Sequence, residues 1–392
     1  MPEIETRTPA VGNGGDLRTD PLKSVVPDAV RVGLCGYGLS GRIFHAPLIK
    51  AVPSLELALV ASSDPGKVLA DHPGMAVASD PFEAVTSEQV DLVAIATPNE
   101  SHAPLARAAL MAGKHVVIDK PFAVDLAEAR DLSALASRNG LLLSVFHNRR
   151  WDSDFLTVQK AVEDGLIGEV THFESHFDRF RPEVWGRWRE QARPGSGLWL
   201  DVGPHLVDQA LQLFGLPDRV HGNLARQRQG AVVDDWAHVV LDYGERRVVL
   251  HAASLTAGGV PRFVAHGTGG SLVKKHPDRQ ELQLRDGLKP GGPGWGEDPD
   301  QLVVFDRTGI SRSMPACPGD QRCFYRGIAE TLRNAATAPV PAIQALAVMA
   351  VMEAAALSAR HYRSVEPLLD AEESSKFEGS RRLRPTACDR DT

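Results

Sequence analysis

The sequence predicts an α/β protein, with a doubly wound parallel sheet followed by an α+β domain whose open sheet is mostly antiparallel. Short apolar runs alternate with helical patterns from Val30 to Phe146, and the pattern changes to alternating strands after Trp151. The chain is also 392 residues long, more than one hydrophobic core usually organises.

In the first domain the strand-like runs are Val30 to Cys35, Leu57 to Ala61, Leu92 to Ala96, Val116 to Ile118 and Leu141 to Val145. Helix-spaced apolar residues lie between them at Leu105 to Met111 and Leu126 to Leu135, with Gly113 and Gly140 placed as C-terminal caps. Such alternation is how βαβ units read. The second domain begins with a helix near Phe155 to Glu163. Strands follow at Val170 to Phe177, Ala237 to Leu241 and Arg247 to His251. Gly287 to Gly296 reads as a long loop, and helices near Phe324 to Ala336 and Gln344 to Arg360 close the domain. The expected division is an extension over 1–28, a first domain over 29–148, a second over 149–368 and a loose charged tail over 369–392.

A net charge of −7, with no dense Lys/Arg stripe, argues against a nucleic-acid partner. Cys35, Cys317, Cys323 and Cys388 lack zinc-site spacing and are too few for a disulfide framework, so a reducing cytoplasm is expected. The most apolar stretch, Ile343 to Ala359, is interrupted by Gln344 and Glu353 and reads as too short for a bilayer. No membrane segment is expected.

Gly36-Tyr37-Gly38-Leu39-Ser40-Gly41 forms a GxGxxG directly after the first strand and before a helical pattern from Arg42 to Ala51. There glycines allow a tight turn, close approach of a pyrophosphate and close helix packing, which points to a dinucleotide. The second strand ends Ser62-Ser63-Asp64, with Lys67 following. Serines and a lysine leave room and charge for a 2′-phosphate, favouring NADP, while Asp64 keeps NAD open. The same residues also suit a helix cap. Two further strand ends carry Thr97-Pro98-Asn99 with His102, and Asp119-Lys120-Pro121. A strand-end Lys120 can stabilise a developing alkoxide. In the second domain Asp201 and His205 flank Pro204, read as the first helical position, which places His205 in the first turn as an acid/base candidate with Asp201 ahead of it.

These residues resemble the glucose-fructose oxidoreductase, inositol dehydrogenase and MocA (Gfo/Idh/MocA) family, from about Val30 to about Val365. The resemblance implies a Rossmann domain with Gly36, Gly38, Leu39, Ser40 and Gly41 as its dinucleotide loop. It matches Thr97, Pro98, Asn99 and His102 to the nicotinamide-side turn, Asp119-Lys120-Pro121 to a Glu-Lys-Pro motif, and Asp201 with His205 to a DxxxH pair. Asp119 departs from the family's Glu. Further strings, Phe44-His45-Ala46-Pro47-Leu48, Phe146 to Asp152 and Arg179 to Glu183, are similar to NADP-linked scyllo-inositol dehydrogenases. The implied activity is hydride transfer between NADP (or NAD) and a secondary hydroxyl of a polyol or sugar. Lys120, Asp201 and His205 are the expected catalytic residues; Ser62, Ser63, Lys67 and Asp119 join the expected cofactor contacts. Lys120, Asn148, Arg149, Trp151, Arg179 and His205 are expected at the substrate, with Asp152, Arg181 and Arg189 as further polar candidates. A homo-oligomer, dimer or tetramer, is expected through the second sheet.

Two other readings compete. His172, Glu174 and His176 alternate on one strand face and, with Asp201 or His205, would suit a hydrolytic zinc. Alternating polar residues are, however, the usual solvent face of a strand, and a hydrolase leaves the glycine loop unexplained, so no metal is expected. A cofactor-sensing regulator on the same scaffold is the non-enzymatic alternative, against which Lys120, Asp201 and His205 count together.

Overall fold

The computed structural model describes residues 29–382; the expected N-terminal extension and the last residues of the expected tail lie outside them. β1 (Val30–Cys35), β2 (Leu55–Ala61), β3 (Ala76–Ala78), β4 (Leu92–Ile95), β5 (His115–Ile118) and β6 (Leu143–Val145) form a parallel sheet in the order β3-β2-β1-β4-β5-β6. Strands such as β4 are apolar on both faces because helices cover both sides of the sheet. The three-residue β3 escaped the sequence reading, being half exposed and short. The order reverses between β2 and β4 around β1, and the crevice beyond the carboxyl ends of these strands is where open α/β sheets bind ligands.

The second sheet contains β7 (Val170–His176), β8 (Arg219–Ala225), β9 (Trp236–Tyr243), β10 (Arg246–Ala253), β11 (Phe263–Gly267), β12 (Gly270–Lys274), β13 (Leu302–Phe305) and β14 (Ser311–Met314). Its order is β14-β13-β12-β11-β7-β10-β9-β8, antiparallel throughout except for the β7–β10 pair. One face is apolar and packs on the helices Leu198–Phe214 and Ala342–His361. Alternation along β9 and β10 leaves the other face polar.

Helix Ala342–His361 corrects one expectation: it is 20 residues long and apolar enough to cross a membrane by length and composition alone. Its apolar surface is instead consumed by packing, because Leu346, Met349 and Ala350 enter the first core while Val348, Val351 and Met352 enter the second. A helix hydrophobic all round is one buried on all sides. Within the described residues the expected loose tail is also corrected, since Ala371–Arg382 is a helix that buries Phe377 in the second core. Its single large apolar residue and charged remainder gave too weak a pattern to read.

Candidate active site

A cleft of about 1330 Å³ lies between the carboxyl ends of β1, β2, β4 and β5 and the second domain. The glycine loop forms its floor. Gly36 follows β1 with φ +96°, and a Cβ there would strike the Ala96 carbonyl beyond β4. A Cβ at Gly41 would collide with the Gly36 carbonyl, which closes the turn tightly against the helical segments Gly41–His45 and Ala46–Lys50. Gly38 lines the cleft and has no atom within 4 Å of its Cβ position, so backbone is bare where a ligand would approach. This loop at the start of a helix fits a pyrophosphate through its exposed N–H groups.

At the end of β2, Ser62, Ser63, Asp64 and Lys67 all line the cleft. The Asp64 carboxylate accepts a hydrogen bond from the Lys67 backbone N–H at 3.1 Å, capping helix Pro65–Asp71, and its own N–H donates to Ser62 Oγ at 3.1 Å. Capping therefore engages the acid of this turn. Ser62 is the position directly after the strand.

Thr97 and Pro98 line the cleft, whereas Asn99 and His102 do not. The expectation that these two touch cofactor is corrected by their partners. His102 is buried with Nδ1 2.9 Å from the Pro121 carbonyl and Nε2 3.0 Å from the Thr97 carbonyl, so it ties the two strand-end turns together. Burial lowers its pKa, outweighing the nearby Asp119. Asn99 donates through Nδ2 to the Gly195 carbonyl at 2.7 Å, joining the first domain to the loop ahead of the helix Leu198–Phe214.

Lys120 is held by that helix. Its Nζ donates to the Asp201 carbonyl and, at 3.1 Å, to Asp201 Oδ1. Arg189 Nε lies 3.2 Å from the same carboxylate and Arg179 Nη1 lies 3.9 Å away. Burial opposes ionisation of Asp201, but Lys120, Arg189 and Arg179 together hold its carboxyl well below the usual range. Beneath Lys120, Asp119 is buried and accepts from the Lys120 N–H at 2.9 Å, with His45 Nε2 3.9 Å away. Burial raises its pKa, yet His45 and Lys120 prevail and keep it ionised.

The helix carrying Asp201 and His205 starts earlier than Pro204 suggests. Gly197, at φ +107°, precedes it, and Asp234 from the β8–β9 connection receives the Trp199 N–H at 2.7 Å and the Leu198 N–H on its backbone carbonyl. A cap so distant in sequence is not visible in local pattern. His205 therefore sits inside the helix, one turn beyond Asp201, and its expected place in the first turn is corrected. So is its expected pairing with Asp201, whose carboxylate faces the cations. His205 is buried in the cleft wall, its Nδ1 without a hydrogen-bond partner among the described residues. Burial, then the positive charges of Lys120 and Arg149, push its pKa well below the imidazole value.

Of the expected substrate residues, Asn148, Arg149 and Arg179 line the cleft; Trp151 does not. Trp151 is instead buried against Phe324, with ring centroids 6.1 Å apart, because it closes the turn between the domains. Asp152 is likewise buried and paired, with Arg149 at 3.0 Å; Glu281 holds the other arm of Arg149 at 2.9 Å. Arg149 and Arg179 both lie over the Phe177 ring, each 5.0 Å from its centroid. The sequence reading missed Phe177, Trp185, Trp188 and Glu281 as lining residues. Tryptophans interleaved with arginines from Arg179 to Arg189 were the available signal. The zinc set is not assembled: both oxygens of Glu174 are taken by His172 and His176 at 2.8 Å each, while Asp201 pairs with Lys120.

Residues 30–147 match the oxidoreductase family model for an NAD-binding Rossmann fold, and residues 159–366 match the C-terminal alpha/beta domain of the same family. The chain is 48% identical to the uncharacterized oxidoreductase YdgJ of Escherichia coli, over 85% of this chain and 97% of that one. It is 35% identical to the scyllo-inositol 2-dehydrogenase (NADP(+)) IolW of Bacillus subtilis, over 86% and 96%. An oxidoreductase crystal structure from Klebsiella pneumoniae superposes with a TM-score of 0.86 at 50% identity, covering 90% of this chain and 99% of that one. With both domains matched and the glycine loop, Lys120 and the helix of Asp201 and His205 gathered at one cleft, the chain belongs to the Gfo/Idh/MocA oxidoreductase family.

Proposed function

We propose that this protein is an NADP-preferring dehydrogenase that oxidises a secondary hydroxyl of a polyol or sugar of the inositol class. The observation that carries the reading is the meeting of Lys120, fixed by Asp201, with a buried His205 in the same cleft as the glycine loop. Bound nicotinamide supplies the hydride acceptor. In the wall of the cleft, Lys120 donates a hydrogen bond to the reacting oxygen and stabilises its negative charge. His205, held neutral by burial and its cationic neighbours, accepts the hydroxyl proton. Arg149 and Arg179, neutralised in part by Glu281 and Asp201, present donors to ring hydroxyls beside the apolar face of Phe177.

NADP is favoured because Ser62 stands directly after β2 and Lys67 nearby carries positive charge, while Asp64 is engaged in capping. IolW, an NADP-linked relative, supports the same choice. A panel of inositols and aldoses assayed with NAD and NADP in parallel tests both parts. Turnover is expected with NADP on at least one polyol, and Ser62→Asp is expected to move preference toward NAD by placing a carboxylate against the 2′-phosphate. A parent enzyme that uses NAD much better than NADP overturns the cofactor reading, and inertness across the panel overturns the substrate class.

A further inference from the structure

The polar face of the second sheet, away from the cleft helices, holds a cluster that the dehydrogenase chemistry does not use. Sheet register sets His176 of β7 beside His251 of β10, and His251 beside His238 of β9, so three imidazoles form a row across neighbouring strands. Asp178, two residues beyond His176, turns into this row. Its side chain is only 4% exposed, yet neither carboxylate oxygen has a hydrogen-bond partner among the described residues. A buried carboxylate left so is costly unless something cationic satisfies it.

The hydrogen bond to Glu174 sets the His176 tautomer, and the contact between His251 and His238 admits one in which His251 also turns a lone pair to that carboxylate. His176 Nε2 lies 2.8 Å from Glu174 Oε2, so this nitrogen carries the proton and donates. In the neutral ring, Nδ1 is then left with a lone pair, 3.5 Å from Asp178 Oδ2. His251 Nδ1 lies 3.3 Å from His238 Nδ1; with His251 as the donor, its Nε2 lone pair faces Asp178 Oδ1 at 3.7 Å. In those neutral tautomers two lone pairs and a carboxylate point at one another, an arrangement that repels unless a proton or a metal ion sits among them. The ligand atoms of His176, Asp178 and His251 all lie within 4.8 Å of each other. Metal–ligand bonds of about 2.0 to 2.1 Å in a tetrahedron place ligand atoms about 3.3 Å apart, and each imidazole nitrogen lies 3.5 or 3.7 Å from its own oxygen of the Asp178 carboxylate, so the three side chains need to draw together slightly around an ion.

We propose that His176 Nδ1, Asp178 and His251 Nε2 bind a divalent transition-metal ion of the zinc class, with a fourth position open to water. Two imidazoles with one carboxylate suit zinc and are a poor set for magnesium or calcium, which take oxygen ligands. Glu174 and His238 occupy the second layer, each holding the far nitrogen of a ligating ring, the device that fixes tautomer and orientation at histidine-bound metals. The site departs from the expectation that the chain holds no metal, and it shares only His176 with the zinc set weighed from sequence.

The test is a calorimetric titration of the full chain with Zn²⁺ after chelator treatment and desalting, alongside melting temperatures with and without zinc. One equivalent is expected per chain, tighter than about 1 μM, with a higher melting temperature in zinc. His251→Gln and Asp178→Asn are each expected to lose that equivalent while melting like the chelated parent when zinc is absent. Glu174→Gln keeps all three ligands and is expected to weaken binding by about 10- to 100-fold. His221→Gln, at an exposed imidazole paired with Asp242 on the edge of the sheet, is expected to leave binding unchanged. A parent chain without saturable zinc uptake overturns the proposal, as does uptake unaltered in both His251→Gln and Asp178→Asn.

Discussion

In the proposed reaction His205 and Lys120 divide the work at the reacting carbon, and their environments predict different failures. The His205 pKa lies well below the imidazole value because burial and cationic neighbours disfavour the imidazolium. Only the neutral ring accepts a proton, so oxidation is lost as pH falls through that depressed pKa and is complete above it. The acidic limb of turnover against pH is therefore expected below the usual imidazole range, not near neutrality as a helix-end His balanced by Asp201 would give. His205→Ala is expected to cost about 10² to 10⁴ in turnover and to abolish that limb. An intact limb with near-normal turnover would remove His205 from the chemistry. Asp201→Asn acts elsewhere: it weakens the anchor of Lys120 and leaves Lys120, Arg189 and Arg179 crowded without their shared anion. Turnover is expected to drop with the His205 limb unmoved, and a shift of the limb would restore the Asp201–His205 pairing. The strand-end Lys120 and the Asp201/His205 spacing were legible because each motif sits at a chain feature that sequence displays. The pairing was not, since Asp201 meets a lysine 81 residues away across the domain boundary. Asn99 and His102 looked like cofactor contacts for the same reason, their real partners being distant carbonyls.

At the scale of elements, the parallel sheet was readable because strands buried on both faces are continuous apolar runs bounded by turn glycines. Much of the second sheet was not, because β13 and β14 are short and β14 is largely exposed. The start of the helix Leu198–Phe214 was misplaced because Asp234, not Pro204, closes its N-terminus. What locks this helix to its neighbours was equally hidden. Arg150, in the turn after β6, binds Asp208 through two bonds of 2.9 and 2.6 Å and reaches Gln344 Oε1 at 2.6 Å and the Pro339 carbonyl at 3.2 Å. Arg150 and Asp208 are both buried, so the pair is not a surface ion pair of small worth. Arg150→Ala strands Asp208 and is expected to cost about 3 to 5 kcal/mol. Denaturant unfolding followed by circular dichroism measures it, and a loss below about 1 kcal/mol would mean the carboxylate finds another partner.

Across the whole molecule, the two cores meet along Ala342–His361, and the helix Ala371–Arg382 packs on it from the outside. Two of the contacts that hold this last helix differ in magnitude. Glu373 receives Arg130 of the first domain through two bonds of 2.7 Å, and Arg130 also donates to the Leu368 carbonyl at 2.6 Å. Arg130 is substantially exposed, so solvent screens the pair and its loss is expected to cost no more than about 1 kcal/mol. Phe377 is fully buried in the second core, and truncating a buried Phe costs about 3 to 5 kcal/mol through lost transfer energy and the cavity left behind. Docking is thus governed by one ring and not by the interdomain ion pair. Phe377→Ala should therefore lower the melting temperature by several degrees and open the end of the chain to limited proteolysis. Glu373→Gln should do neither to a comparable extent. The comparison is made on both variants side by side, by thermal unfolding and by the mass of the protease-resistant fragment. Equal losses in the two would shift the anchor to the ion pair. No loss in Phe377→Ala would mean that the helix does not hold its place against the core in solution, and the second core would then end at Ala342–His361.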